Sequence, residues 1–244
     1  MTIVVSGGSV STDDGYTVRT FTSSDTLTVA GGTLTNVQYL LVAGGGSAAV
    51  PEGTYTSGGG AGGLLTGNVD VASGSYPVEI GDVGNNSSFM NMLANGGGQG
   101  GYFGNGFTGG SGGGGAVQGT VHLNFLNFVG GTNVDGQGYP GGAPGLGGYP
   151  PNGPGGGGGA TGPGGNGTTD GVGGAGGHGM PSTITGNLVY YAGGGSGRGP
   201  NGIGTNALGY KSYGAGGGYD LDPENYCNRL PAQPGVLIIR YVTP

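Results

Sequence analysis

The first forty residues alternate apolar and polar side chains with the period of two that half-buried strands require. GYTVRTFTSS, from Gly15, and DTLTVAGG, from Asp25, set Val, Phe and Leu against Thr, Arg and Ser. VQYLLVAGGG, from Val37, passes into a near-continuous apolar run, the pattern of a strand covered on both faces. Gly15, Gly31 and Gly32 supply turns, and VDVASGSYPVEIG, from Val69 to Gly81, is again strand-like. The chain closes with GVLIIRYVTP, whose stretch Val236 to Tyr241 is strongly apolar, broken by Arg240 alone. The simplest way for Val37 to Val42 and Val236 to Val242 to hide their apolar faces is to share one sheet or sandwich, which brings both chain ends to one pole.

Between these strands the pattern disappears. Residues 96–218 carry GGGQGG, GGSGGGG, PGGAPGLGGYPPNGPGGGGG and GGAGGHG. Of 244 residues, 71 are Gly and 14 Pro, about 35% of the chain, which excludes a helical bundle and an ordinary α/β enzyme. Strict G-X-Y spacing fails at Gly155 to Gly159 and at Gly173 to Gly177, so a collagen triple helix is excluded too. What remains is a lattice of extended polyglycine or polyproline-II-type helices, or else long surface loops on a β core. Such a helix has three residues per turn and no internal hydrogen bonds, so its backbone groups must be met by neighbours. Pro144, Pro150, Pro151, Pro154, Pro163 and Pro200 fit its dihedrals. The expected fold is mainly β with almost no α-helix. One domain is made of a β-rich part (1–95), a glycine-rich body (96–218) and a closing C-terminal strand (219–244).

Charge narrows the partners. Five Lys and Arg against twelve Asp and Glu leave no basic patch for a phosphate backbone, so nucleic acid is not expected. No apolar stretch reaches the roughly 20 residues of a membrane span, and MTIVVSGGSVSTDDG lacks the features of a signal peptide, so synthesis and folding in a cytosol are expected. Cys227 is the only cysteine, so no intrachain disulfide can form.

Candidate chemistry is sparse. G-x-G-x-x-G patterns occur by chance among 71 glycines and lack the strand-then-helix context of a dinucleotide site. GTNALGYKS, from Gly204 to Ser212, nearly spells a phosphate-binding loop, but Tyr210 displaces Lys211 from its place. His122 and His178 show no metal or triad spacing. Asp220, Asp222 and Glu224 could offer oxygens to calcium, but without the glycine and closing glutamate of a dedicated loop they are expected to form a solvated turn. No catalytic group, cofactor or metal is expected. The informative residues are aromatics embedded in glycine: Tyr102, Phe103, Phe107, Tyr139 and Tyr149, then Tyr210, Tyr213 and Tyr219. They serve either as hydrophobic filler or as rigid contact groups for a sugar or protein; the first five are the receptor-contact candidates.

The order of local patterns resembles the glycine-rich domain of phage tail fibres and other virion proteins. The likeness rests on RTFTSSDTLTV from Arg19, VQYLLVAGGG, SGGGAGGLL from Ser57, SYPVEIGDVG from Ser75 and NNSSF from Asn85. YYAGGGSG from Tyr190, YGAGGG from Tyr213 and PGVLIIRY from Pro234 complete it. In composition the chain is also similar to the glycine-rich tips of some phage adhesins, which meet host glycans or proteins through variable loops on packed polyglycine-type helices. The resemblance implies a non-enzymatic protein of the virion surface, made in the host cytoplasm, that serves in host attachment as a tail fibre or tip adhesin. The alternative is a capsid decoration or self-assembling filament subunit. The domain starts within about twenty residues of Met1, which fits a short fibre, accessory tip or decoration protein without a shaft. Expected partners are copies of itself, most simply as a homotrimer, other virion proteins, and a host surface glycan or protein. Ice binding, a third reading, would need a regular Thr array that Thr161, Thr168, Thr169, Thr183 and Thr185 do not form.

Overall fold

A computed structural model describes residues 2–49, 55–117, 128–146, 152–221 and 227–244. Its described residues form an all-β chain without α-helix. The N-terminal strands are β1 (Val4–Ser6), β2 (Ser9–Asp13), β3 (Tyr16–Phe21), β4 (Asp25–Ala30), β5 (Leu34–Val42), β6 (Leu64–Val71), β7 (Gly74–Glu79), β8 (Ser87–Phe89) and β9 (Met92–Ala94). Three small antiparallel strand pairs follow: β10 (Met180–Ser182) with β11 (Val189–Tyr191), β12 (Arg198–Gly199) with β13 (Gly202–Ile203), and β14 (Gly218–Leu221) with β15 (Cys227–Leu230). The closing strand is β16 (Val236–Val242). VDVASGSYPVEIG, one stretch by its pattern, is divided between β6 and β7.

Two five-stranded antiparallel sheets, ordered β1-β4-β7-β8-β9 and β2-β3-β16-β5-β6, form the sandwich. The C-terminal strand pairs with β5 (Val236 opposite Val42) and with β3 (Leu237 opposite Phe21), as the shared apolar patterns require. The reason for its apolar run Val236–Ile239 is that both faces are covered. Leu237, Ile239 and Tyr241 enter the core between the sheets with Phe21, Leu27, Leu41, Val78 and Phe89. Val236 and Ile238 point the other way, against Leu40, Val42, Leu64, Ile184 and Tyr191, where the body seals the sheet. Arg19, also buried, ties the sheets together: its Nε donates to the Tyr241 hydroxyl at 2.9 Å and its terminal nitrogens donate to the carbonyls of Val5 and Gly7. On the far side of that sheet, Arg240 donates to Asp13 at 2.6 Å and lies 4.3 Å over the Tyr16 ring.

The glycine runs form a lattice rather than loops. In the run 154–160 each N–H direction recurs every third residue. Gly155 and Gly158 donate to Gly115 and Gly112, Gly156 and Gly159 to Gly165 and Gly162, and Gly157 and Ala160 to Gly195 and Ala192. The carbonyls obey the same period: those of Gly155 and Gly158 accept from Gly58 and Ala61, those of Gly156 and Gly159 from Gly142 and Tyr139, and those of Pro154 and Gly157 from Gly174 and Gly177. All of these bonds measure 2.8–3.1 Å. One extended helix of three residues per turn is thus held by six neighbours. The run 57–63 is held in the same way, by 43–46, 95–98, 111–114, 155–158, 195 and 214–217. Hydrogen bonds net about 1 kcal/mol each, roughly what fixing one residue's backbone costs, so the excess must come from backbone-on-backbone packing. That packing is close: a Cβ built at Gly155, Gly156, Gly157 or Gly158 would sit 1.9–2.0 Å from a neighbour's carbonyl oxygen.

Register also sets direction. Runs 43–49, 95–101, 111–117, 139–146, 162–168, 192–197 and 214–217 descend from the sandwich, the first as the continuation of β5, while 57–63, 152–160 and 172–179 return, the first into β6. The described turns 102–104, 169–171 and 200–201 therefore gather at the end of the lattice opposite the sandwich, whereas the turn 208–213 and the β10–β11 hairpin lie beside it. Pro154 opens the central run, but Pro200 sits in the β12–β13 turn, and Pro150 and Pro151 lie outside the described residues.

Candidate functional site

Of the five receptor-contact candidates, Tyr102 and Phe103 sit together on a turn at the far end. Their rings meet edge to face, with centroids 4.5 Å apart and planes at 79°. Phe103 has φ +52°, a left-handed conformation that costs a non-glycine residue of order 1 kcal/mol and turns its ring outward to solvent. The turn is fixed by the lattice: Gly101 donates to Gly114, and Gly104 and Ala116 exchange both backbone bonds at 2.9 and 3.0 Å. Phe107 stands on the run 105–110, which returns from that turn antiparallel to 95–101; it is 59% exposed, with its backbone bonded to Gln99 and Gly113. Tyr139 is also exposed, but its carbonyl accepts from Gly112. Four steps of about 3.1 Å separate Gly112 from Ala116, so Tyr139 lies about 12 Å closer to the sandwich than the Tyr102–Phe103 turn. Tyr149 lies outside the described residues.

The later tyrosines divide. Tyr219 is buried with its ring 5.8 Å from the Arg198 guanidinium. Tyr210 and Tyr213 instead join Tyr190 and Tyr191 around an open groove of about 800 Å³ beside the sandwich. Two backbone bonds bring these pairs together: Gly179 donates to Leu208 at 2.8 Å and Ala192 donates to Tyr213 at 3.0 Å. Thr185, Val189, Gly209, Lys211, Ser212 and Gln233 complete the wall. Burial pushes the Tyr191 phenol above its ordinary pKa, opposed by a hydrogen bond from Thr185 and aided by Tyr213. Lys211 Nζ lies 4.9 Å from the Tyr210 ring centroid and 3.4 Å from the Asp220 carboxylate. The Tyr210 hydroxyl and then Asp220 hold the ammonium above its ordinary pKa. Asp220 is itself fixed by Asn206 Nδ2 at 3.0 Å. Sequence pattern offers no signal for this groove, because its two tyrosine pairs are about twenty residues apart and only lattice register joins them.

Lys211 thus pairs with a carboxylate, and GTNALGYKS is followed by a turn and a glycine run rather than a helix. His178 is exposed, its Nδ1 accepting from the Leu208 N–H at 3.2 Å. His122, Asp222 and Glu224 lie outside the described residues. Among the described residues no group of three His, Cys, Asp or Glu is placed to hold a metal ion. No protein-family model matches the chain, and no curated protein matches it.

Proposed function

We propose that this chain is a non-enzymatic protein of a phage virion surface, a tail-fibre or tip adhesin that serves in host attachment. The observation that carries the reading is the Tyr102–Phe103 pair: two exposed aromatic rings held in a strained turn at the end of a rigid lattice opposite the sandwich. Aromatic rings give large contact area for little rotamer entropy, and a turn fixed by backbone bonds presents them already ordered, which lowers the cost of binding. The two chain ends belong to the sandwich, Val4 opening β1 and Val242 ending β16, which suits attachment to a particle at that end. Few exposed charges and a net charge of -7 favour contact through aromatic and polar groups rather than through a basic patch.

The test is competition for adsorption. Purified protein preincubated with bacterial host cells is expected to block phage adsorption, and the double variant Tyr102→Ser/Phe103→Ser is expected to lose at least tenfold in blocking with an unchanged melting temperature. A protein that saturates particles but never blocks adsorption supports the decoration or filament alternative instead.

A further inference from the structure

We propose that the tyrosine groove beside the sandwich binds a small anionic saccharide, one or two sugar units bearing a carboxylate or phosphate. The site lies at the opposite end of the lattice from the Tyr102–Phe103 turn, so this proposal stands apart from the adhesin reading. Its size is that of a small-molecule site: about 800 Å³, within the range of clefts that hold ligands of one or two rings. Its walls supply the two kinds of surface a sugar presents partners for. The rings of Tyr190, Tyr210 and Tyr213 offer flat apolar faces for the C–H side of a pyranose, and the phenol, Ser212, Thr185 and Gln233 groups stand at their edges as donors and acceptors for hydroxyls.

The charge comes from one residue. Lys211 is the only lysine in the chain, and its side chain is 59% exposed. The arginines are committed elsewhere: Arg19 is buried between the sheets, Arg240 is paired with Asp13, Arg198 packs over Tyr219, and Arg229 donates to the Ala48 carbonyl at 3.5 Å. Lys211 has three donors, and Asp220 takes one, with Tyr210 beneath the head group. Among the described residues no carboxylate lines the groove. On a chain of net charge -7 the Lys211–Asp220 pair leaves this wall close to neutral, and the ammonium's remaining donors are its cationic contact for one anionic group, too small in charge for a polyanion. Asn206 and Tyr210 hold Asp220, so the ammonium is positioned before any ligand arrives.

The experiment is an amide chemical-shift titration of the full chain with glucuronic acid, glucose 6-phosphate, glucose and triglutamate. The expected result is saturable, millimolar binding of the two anionic sugars with shifts at Lys211, Ser212 and Tyr213, and weaker binding of glucose. Lys211→Gln is expected to weaken glucuronate about tenfold while leaving glucose unchanged, and Lys211→Arg to retain most of the affinity. Tyr190→Ser/Tyr213→Ser is expected to remove both, at an unchanged melting temperature. Absence of shifts at these amides with every sugar, equal glucuronate affinity in Lys211→Gln, or triglutamate binding as tight as glucuronate would each overturn the proposal, the last in favour of an acidic peptide. If adsorption is blocked equally well by the groove variants, the adhesin reading stands and the groove serves another purpose.

Discussion

Replacing Gly157 by alanine puts one methyl where two backbones touch. The built Cβ lies 1.9 Å from the Gly59 carbonyl oxygen, 2.3 Å from its carbon and 2.7 Å from the Gly60 nitrogen, whereas real Cβ contacts stay beyond 3.0 Å. Relief requires a shift of about 1 Å or more in a neighbour that is itself fixed, because Gly59 donates to Gly217 and accepts from Gly195. Overpacking of this kind costs about 1–3 kcal/mol. The same shift strains the bonds from Gly157 to Gly195 and from Gly177 to Gly157, adding about 1–3 kcal/mol if either is lost while buried. A total of about 2–6 kcal/mol lowers the melting temperature of a chain this size by roughly 4–24 °C. Gly162 is the matched control: five residues on, its Cβ would meet nothing closer than the His178 nitrogen at 3.8 Å. There alanine is expected to be neutral or to stabilise by about 0.5 kcal/mol through the unfolded chain. Thermal unfolding followed by circular dichroism measures both, with the yield of folded protein as a second readout. Equal melting temperatures for the two variants would refute close packing of the lattice.

Two other expectations follow from single side chains. Arg19→Met leaves the Val5 and Gly7 carbonyls and the Tyr241 hydroxyl without their donor inside the sandwich, so it should cost about 3 kcal/mol and speed amide exchange in β1 first; calorimetry with exchange mass spectrometry checks this. Tyr191 gives a pH dependence: its folded-state pKa is raised, so the stability it contributes is complete below the unfolded value near 10 and is lost as pH rises through the folded value. Urea midpoints measured from neutral to alkaline pH should therefore fall less steeply in Tyr191→Phe than in the native chain.

The strands were legible because burial leaves a period. Alternation in Tyr16–Phe21 and Asp25–Ala30 and the apolar run in Val236–Val242 report one-sided and two-sided cover, and the structure pairs these segments as that cover requires. Within the glycine runs no such signal exists, because every position carries the same absent side chain. Composition alone could tell that Gly155 to Gly159 must be bonded by neighbours if ordered, but not which neighbours, since any run fits any other. For the same reason the lattice draws in 43–49 and 57–63, which continue β5 and precede β6, as well as the longer glycine tract. Exposure of Tyr102, Phe103, Phe107 and Tyr139 agrees with their isolation among glycines, which leaves few side chains to cover them. Their separation along the lattice, and the meeting of Tyr190 with Tyr213, depend on register, which glycine does not encode.

The account rests on the claim that one glycine helix is held by six others, and amide hydrogen exchange reads that directly. In a ¹⁵N-labelled sample, the amides of Gly155 to Ala160 should exchange together and only by global unfolding, at rates matching those of Leu237 and Ile239 in the central strand, while Gly136, in its exposed turn, exchanges rapidly. Exchange of Gly155 to Ala160 at the rate of Gly136 would contradict it.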